Sequence, residues 1–395
     1  MRVLIILSGD YGELGMANYF VAGQTFAKSA IFLSPLKLCD AFAPGQSTVR
    51  MYSGIEEIIA VVNEIKPDVV MMFSGYLLAL NRLLSITALK LLLALLAQRN
   101  IKVVTSDPFC GMSARVVPWM FDFAHSGIYN LHWRQRCLAP VRGLIACLRL
   151  RRVHGLFRNL VHIYPGPVPA HDLGYRWMTF YNPEALNPKT SLPNSDKYPA
   201  AKDAHKAKPS WLFILSEIDL IIQEHIHGPV LAAWIGARLS DAWKQGRVST
   251  LIAPARLLKE VKDKLESGVD TSFCESLTYD EFVQRLFDCE FVFYWNVFSF
   301  TSLLRILNGQ TVFFFDKGHL SRGLHPYFDL ARKWYLNYKQ PVFFSVDREL
   351  LLPSLITAAA EFAVHARSIS QSHQSSPGPE KLLEELIQDA DWKNR

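Results

Sequence analysis

Short runs of apolar residues alternate with helical segments along most of this chain, and this alternation constrains its fold more than any other feature. In the first half the runs are rich in Val, Ile and Leu, at residues 3–7, 30–34, 69–73 and 101–105. Uninterrupted apolar strands separated by helices are typical of a parallel sheet that is covered on both faces. We therefore expect an α/β domain of Rossmann-like architecture in this half.

A proline-rich segment divides the chain in two. Residues 187–210 contain four prolines and few large apolar side chains, a composition typical of an exposed linker. After this segment the alternation restarts, with apolar runs at 211–215, 249–253, 271–275, 290–295 and 311–315. We predict a first Rossmann-like domain at 1–186, a linker at 187–210, a second Rossmann-like domain at 211–369, and a short linker with a terminal helix at 370–395.

Composition excludes several classes of protein. Half of the 395 residues are hydrophobic and 20% are charged, which is enough apolar material for two cores and excludes global disorder. The net charge of +6 is too small for a dedicated nucleic-acid binder, so no nucleic-acid partner is expected. The six cysteines form no C-x-x-C pair or zinc spacing, and residues 76–97 carry Asn81, Arg82 and Lys90, which disfavour a membrane span. We expect a cytoplasmic protein with no bound metal.

The turn after the first predicted strand is rich in glycine. It reads SGDYGELG from Ser8 to Gly15, and we expect the helix to begin at Gly15. Glycines here allow a tight turn and a close approach of an anion to the amides at the helix start. Gly12 and Gly15 are therefore candidate ligand-binding residues and Glu13 a candidate catalytic residue, although an ordinary strand–helix turn has the same pattern. The turn lacks the G-x-G-x-x-G fingerprint, so a dehydrogenase is not expected.

A second polar turn lies between two strongly apolar strands in the second half. Residues 290–316 read EFVFYWNVFSFTSLLRILNGQTVFFFD, which predicts a strand, a polar loop, a helix and a strand. Hydroxyl groups and free amides at a helix start can bind phosphate. The candidates are Asn296, Ser299, Thr301 and Ser302, with ordinary helix capping by Ser or Thr as the alternative.

Other predicted strands also end in polar residues. Ser216 and Glu217 follow the first strand of the second domain, Glu275 follows the third, and Lys317 follows the fifth. Each is a candidate for binding a ligand, and a solvated charged loop is the alternative. Asp107 follows residues 101–105 and is a candidate general base, although a capping Asp before a proline turn explains it equally well.

Two Rossmann-like domains joined by a linker resemble the GT-B fold of nucleotide-sugar glycosyltransferases. The resemblance implies two domains facing a cleft, with the acceptor on the first, the donor on the second, and C-terminal helices crossing back. Residues 290–316 are similar to the donor-binding strand–loop–helix–strand of that family. The implied activity is metal-independent transfer of a sugar from a nucleotide-sugar donor to an unknown acceptor, without a further cofactor.

Two positions depart from the family pattern and keep other functions open. Many retaining GT-B enzymes have a glutamate where this chain has Leu304, and a histidine often follows the first glycine-rich turn where this chain has Met16. The alternatives are a sugar-nucleotide epimerase or hydrolase on the same fold, and a non-catalytic binding or scaffold protein.

Residues 134–158 carry seven arginines, and no Asp or Glu lies between Asp122 and Asp172. Three interpretations remain for this segment: a solvated helix face, a docking surface for an anionic membrane such as the inner face of the cell membrane, or a site for an anionic acceptor. A separate pair, His225 and His227, suggests a metal, but no third ligand lies at a known spacing.

Overall fold

The computed structural model describes residues 1–42, 48–107, 133–166, 175–186, 209–297, 299–315, 336–337 and 339–388. Lys317 and nearly all of the predicted linker lie outside these ranges. The chain forms two compact units. The first comprises the described residues of Met1–Phe121, Val141–Ser191 and Ser372–Arg395, and the second comprises those of Asp122–Pro140 and Leu192–Gln371.

The first unit contains a seven-stranded parallel sheet in the order β3-β2-β1-β4-β5-β6-β7. Its strands are β1 (Val3–Ile6), β2 (Ile31–Pro35), β3 (Val49–Tyr52), β4 (Val69–Met72), β5 (Lys102–Thr105), β6 (Val161–Pro165) and β7 (Trp177–Phe180). The strands β1 and β4 are buried on both faces, as their continuous apolar sequences predict. The helices between these strands are α1 (Tyr11–Val21), α2 (Ile55–Ile65), α3 (Tyr76–Leu80), α4 (Ile86–Gln98) and α5 (Trp133–Phe157).

The second unit contains a six-stranded parallel sheet in the order β10-β9-β8-β11-β12-β13. Its strands are β8 (Ser210–Ile214), β9 (Val248–Ile252), β10 (Thr271–Cys274), β11 (Phe291–Tyr294), β12 (Phe313–Phe315) and β13 (Val342–Phe344). Its helices are α6 (Glu217–His227), α7 (Leu231–Lys244), α8 (Ala255–Lys264), α9 (Tyr279–Asp288), α10 (Phe300–Leu307) and most of α11 (Leu352–His373). The last helix, α12 (Pro379–Gln388), belongs to the first unit. The prediction of an α/β fold with two parallel sheets is confirmed.

Aromatic side chains on neighbouring strands fill the core of the second unit. Phe293 on β11 stacks on Phe213 of β8 with ring centroids 4.7 Å apart, and it also contacts Phe313 of β12 at 5.4 Å. Such ring pairs add to the stabilisation from burial of apolar area. They hold β8, β11 and β12 side by side, and the polar turns discussed below follow these strands.

The end of the chain returns to the first unit, as predicted. The amide of Tyr181, just after β7, donates to the carbonyl of Pro377 at 3.0 Å, and the hydroxyl of Thr25 donates to the carboxylate of Glu380 on α12. In the part of the chain that the structure describes, no helix is both long enough and apolar enough to cross a lipid bilayer.

The first helix begins earlier than predicted. It starts at Tyr11 rather than Gly15, because Asp10 is the N-cap and its carboxylate accepts a hydrogen bond from the amide of Gly12 at 2.7 Å. Gly12 and Gly15 therefore lie inside α1 rather than in the turn before it. The residue that forms the tight turn is Gly9, whose φ of +86° lies in the left-handed region that favours glycine.

Candidate active site

Each sheet has one position at which the strand order reverses. In the first unit this switch point lies between β1 and β4, and in the second it lies between β8 and β11. In open α/β sheets, ligands bind in the crevice beyond the carboxyl ends of the strands at such a point. The turns that follow these four strands are therefore the first places to look for a site in each unit.

Glu13 lies at the switch point of the first unit. It is in the first turn of α1 and its side chain is only 2% exposed. Its Oε2 accepts two hydrogen bonds from Ser8, one from the amide and one from the hydroxyl, each at 2.5 Å. Among the residues that the structure describes, its buried Oε1 has no hydrogen-bond partner. Buried polar atoms normally have partners, so this carboxyl oxygen is an exception that needs an explanation.

The surroundings of Glu13 favour its protonated form. Burial raises the pKa of Glu13 well above its usual range, and the hydrogen bonds from Ser8 oppose this effect without cancelling it. Because both bonds from Ser8 end on Oε2, the proton belongs on Oε1. A buried carboxyl group that carries its proton on this oxygen can donate the proton when a ligand approaches it, and once ionised it can accept a proton.

The turns after β4 and β5 are tied together. The amide of Ser74 donates to the hydroxyl of Ser106 at 2.9 Å, and Gly75 packs so closely that a Cβ there would lie 2.7 Å from Oγ1 of Thr105. Asp107, the next residue after Ser106, is 1% exposed, and its amide donates to the hydroxyl of Tyr164 at 3.4 Å. Asp107 thus lies at the carboxyl end of β5, one strand from the switch point.

A hydrogen-bonded chain of three side chains lies beside these turns. Nδ1 of His162 contacts the carbonyl of Leu160 at 3.1 Å, and a carbonyl only accepts, so this nitrogen carries the hydrogen. Nε2 of His162 must then accept from the hydroxyl of Tyr76 at 3.1 Å. The oxygen of Tyr76 in turn accepts from Nδ1 of His154 at 3.0 Å. This leaves Nε2 of His154 as the nitrogen that can take up a proton.

The two histidines differ in their protonation. Burial lowers the pKa of His162 to about 3, so His162 is neutral at ordinary pH. Burial also lowers the pKa of the half-buried His154, while the negative charge of Asp107 opposes that shift. His154 is therefore a second candidate base near Asp107. Sequence reasoning did not identify Tyr76, His154 or His162 as site residues, because no motif or spacing links them.

Replacing Tyr76 by Phe tests this chain. The substitution removes the hydroxyl that donates to Nε2 of His162. An unsatisfied buried acceptor costs about 1–3 kcal/mol. We expect the free energy of unfolding, measured by denaturant titration, to fall by that amount. Tyr181→Phe is the matched control, because within the described residues the hydroxyl of Tyr181 makes no hydrogen bond. If the two variants are equally stable, the hydrogen bonds that join His154, Tyr76 and His162 do not stabilise the fold.

In the second unit, the first turn of α6 is capped by side chains of the protein itself. Ser216 is its N-cap: the hydroxyl accepts from the amide of Asp219 at 3.2 Å and donates to the carboxylate of Asp219 at 2.7 Å. Glu217 forms an ion pair with Arg256 at 3.1 Å. These contacts give the side chains of Ser216 and Glu217 partners within the protein. The ligand-binding role of both residues stays a prediction.

The start of α10 is arranged differently. Ser299 occupies the N-cap position but its side chain makes no capping hydrogen bond. Its hydroxyl contacts Oγ1 of Thr301 at 2.9 Å, and that oxygen also contacts the hydroxyl of Tyr294 at 2.8 Å. The hydroxyl of Ser302 donates to the carbonyl of Ser299 at 2.7 Å. Ser299 therefore does not do what the capping interpretation requires, and the start of α10 combines uncapped helix geometry with a row of hydroxyl groups.

The remaining predicted site residues have different surroundings. Asn296 lies in the turn between β11 and α10, at the switch point. Glu275 is exposed at the end of the edge strand β10, two strands away from β8. Lys317 lies outside the described residues. The structure therefore brings Asn296, Ser299 and Thr301 to one turn, and it does not bring Glu275 to them.

The metal interpretation of His225 and His227 finds no support in the local structure. Both residues lie in the last turn of α6, where side chains two positions apart point to different sides. Among the residues that the structure describes, no group of three or more His, Cys, Asp or Glu side chains is placed to hold a metal ion.

Comparisons with known proteins show the fold. No protein-family model matches the chain, and a sequence comparison with curated proteins finds no significant match. Solved structures do match over nearly the whole length. Spinosyn rhamnosyltransferase SpnG has a TM-score of 0.53 at 13% identity, covering 98% of this chain and 99% of that one. UDP-GlcNAc 2-epimerase from Neisseria meningitidis has a TM-score of 0.53 at 12% identity, covering 98% of this chain and 100% of that one. The predicted resemblance is confirmed: the chain has a GT-B-like architecture.

Proposed function

We propose that this protein binds a nucleotide sugar in its second unit and transfers the sugar to an acceptor. The observation that carries the proposal is the start of α10 at the β8/β11 switch point, where Ser299 leaves the helix uncapped and points its hydroxyl at Thr301. Helix-start amides and hydroxyl groups together favour a phosphate group. The start of α6, which its own capping box fills, is the contrasting case at the same switch point.

The solved structures support a nucleoside diphosphate as part of the ligand. SpnG has been solved with thymidine diphosphate, with a TM-score of 0.50, and the Neisseria epimerase with UDP-GlcNAc. SpnG has also been solved with its spinosyn aglycone, an acceptor, with a TM-score of 0.52. At 12–14% identity these likenesses extend to the fold, so the donor class comes to this chain as a proposal.

In the proposed reaction the bond between the anomeric carbon and the diphosphate breaks, and a bond to the acceptor oxygen forms. The diphosphate leaves with the electron pair of the broken bond, and the start of α10 stabilises its charge. The proton of the acceptor hydroxyl goes to an ionised carboxylate of the first unit. We assign this role to the ionised form of Glu13, which forms as the pH rises toward its raised pKa and then has a high affinity for that proton. Asp107 and His154 are the alternative bases. Asp107 lies at the carboxyl end of β5, one strand from the same switch point, and its negative charge acts on His154 of α5.

A sugar-nucleotide epimerase is the second candidate function. Epimerisation next to a carbonyl or at an acidified carbon needs a group that takes up a proton and returns it, and the raised pKa of the buried Glu13 suits that task equally well. The two activities differ in whether they need an acceptor. An epimerase changes the nucleotide sugar when no acceptor is present, whereas a transferase releases nucleoside diphosphate only when an acceptor is added. Product analysis with and without candidate acceptors therefore separates them.

We expect nucleoside diphosphates and their sugars to stabilise the protein in a thermal-shift assay. A ligand at 100 times its Kd contributes about 2.7 kcal/mol to the free energy of unfolding. We expect Thr301→Val to weaken nucleotide binding by about tenfold, since it removes the hydroxyl at the centre of the row. Thr311→Val is the matched control, because both threonines are 8% exposed. Thr311 follows the other end of α10, and its hydroxyl donates to the carbonyl of Ala359 on α11.

Two outcomes contradict this proposal. If no uridine or thymidine diphosphate, free or carrying a sugar, stabilises the folded protein, the chain is better explained as a binding or scaffold protein. If Thr311→Val weakens binding as much as Thr301→Val, the loss reports a general effect on the fold, and the start of α10 is not the phosphate site.

A further inference from the structure

Helix α5 has two apolar faces that lie opposite each other. The inward face packs into the core of the first unit through Cys147, Leu150, Val153 and Phe157, which are each at most 1% exposed. The outward face carries a second row of large apolar side chains that are 48–61% exposed, and we call this row the outer stripe: Val141, Leu144, Ile145 and Leu148. Spacings of three and four residues place them on one side of a helix. The four side chains are not part of the buried core that the inward face joins.

Arginines border the outer stripe on both sides. At 100° per residue, Arg142 and Arg149 lie along one edge, Arg151 lies along the other, and Arg152 lies within the stripe. Arg142, Arg151 and Arg152 are exposed, and Arg149 reaches inward to donate to the carbonyl of Ala79 at 2.6 Å. The helix sequence from Trp133 to Phe157 contains no acidic residue. The exposed surface of α5 is therefore apolar along its centre and positive along its edges.

We propose that the outer stripe of α5 docks this protein on the surface of an anionic lipid bilayer. Apolar side chains on such a helix enter the boundary between headgroups and acyl chains, while arginines at its edges meet lipid phosphates. The aliphatic part of each arginine can lie along the apolar layer as its charge stays in the headgroup region.

The arginines of α5 argue against a second copy of the chain, or a nucleic acid, as the partner of the outer stripe. A second copy of the chain, paired by a two-fold axis, would place the same arginines against each other. A nucleic acid would satisfy the arginines but would leave the central apolar row in water. A bilayer with anionic lipids satisfies both parts of the surface at once.

Binding to lipid vesicles tests the proposal. The full chain is mixed with vesicles of phosphatidylcholine alone, or of phosphatidylcholine with phosphatidylglycerol, and the bound fraction is measured by cosedimentation. We expect binding to the anionic vesicles that weakens as salt is added. We expect the double variant Leu144→Glu with Ile145→Glu to bind at least tenfold more weakly, because it removes two apolar side chains and adds negative charge. The matched control is Leu91→Glu with Val364→Glu, which changes two side chains of similar exposure on α4 and α11.

A second pair of variants tests the charges. Each arginine near an anionic bilayer contributes a factor of about five to binding, so Arg142→Gln and Arg152→Gln should each weaken it by that factor. Arg99→Gln, an exposed arginine at the end of α4, should leave binding unchanged. The thermal shift with nucleotides should be the same in all of these variants, so this test and that of the proposed function fail independently.

Three results would overturn the proposal. The first is that the wild type does not bind anionic vesicles at low salt. The second is that the Leu144→Glu, Ile145→Glu variant binds them as well as the wild type does. The third is that the wild type self-associates in sedimentation velocity, this double variant is monomeric, and neither binds vesicles. That last pattern would assign the stripe to a contact between two copies of the chain.

Discussion

Arg305→Ala is expected to lower the free energy of unfolding by about 3–5 kcal/mol, because it leaves buried carbonyls without a donor and opens a cavity. The side chain is 1% exposed. Its Nε donates to the carbonyl of Thr311 at 2.9 Å, and its Nη2 donates to the carbonyls of Cys289 at 2.9 Å and Glu290 at 2.8 Å. Its Nη1 donates to the carbonyl of Leu286. Removal of the side chain leaves three buried carbonyls and one partly buried carbonyl without this donor, and creates a cavity.

The partners of Arg305 explain why the effect should be large. Leu286 lies in the last turn of α9 and Cys289 is its C-cap, where a positive charge interacts favourably with the helix dipole. Glu290 precedes β11 and Thr311 precedes β12. One guanidinium therefore joins the end of α9 to the starts of two neighbouring strands. The turn that carries Ser299 and Thr301 lies between those strands, so the stability of the proposed phosphate site depends on this side chain.

Two further variants are the controls for Arg305→Ala. Arg305→Lys keeps the charge but loses the planar arrangement of donors, so it should fall between the wild type and Arg305→Ala. Arg256→Ala removes an exposed arginine that pairs with Glu217 and Glu224, and should cost no more than about 1 kcal/mol. If Arg305→Ala is no less stable than Arg256→Ala in denaturant titrations, the buried arginine does not hold the second unit together.

The order of the elements could be predicted because most strands are buried on both faces. The strands β1, β4 and β11 are continuous apolar runs, and such runs stand out from the helices around them. The edge strand β3 was not predicted. Its sequence, VRMY, is mostly exposed or half-buried, so it lacks the apolar signal of a central strand. The three-residue β13 was missed for the same reason, since its side chains are half-buried.

The candidate site could be predicted only in part. The polar turn at 296–302 could be located from its sequence, because its hydroxyl residues lie between an apolar strand and a helix. The chain of His154, Tyr76 and His162 could not be predicted, because its members lie 78 and 86 residues apart along the sequence and meet only through tertiary packing. Likewise, sequence alone cannot show that Ser216 completes a capping box while Ser299 does not.

Glu13→Gln is expected to lower the rate of the proposed reaction by about 100-fold to 10,000-fold, the range that general acid–base groups contribute. The amide has the shape of the protonated carboxyl. Its oxygen can replace Oε2 as the acceptor of the two hydrogen bonds from Ser8, and its NH₂ group can replace the protonated Oε1. The substitution thus removes the ability to exchange a proton and preserves the local structure. Nucleotide binding, measured by thermal shift, should be unchanged, since the proposed phosphate site is in the second unit.

The stability of Glu13→Gln should also depend on pH in a defined direction. Burial holds the pKa of Glu13 in the folded protein well above the usual value of 4.5, so between these two values the folded state binds a proton that the unfolded state has lost. The contribution of this group to stability is therefore fully present below about pH 4.5 and is lost as the pH rises through the folded pKa, by at most about 1.4 kcal/mol per pH unit. Glutamine has no such loss, so the variant should gain stability relative to the wild type over that interval. Glu56→Gln, on the exposed start of α2, is the control. If the Glu13 and Glu56 variants show the same pH dependence, the carboxyl of Glu13 does not have a raised pKa in the folded protein. The argument for Glu13 as the base is then lost, and the base of the proposed reaction is to be sought at Asp107 or His154.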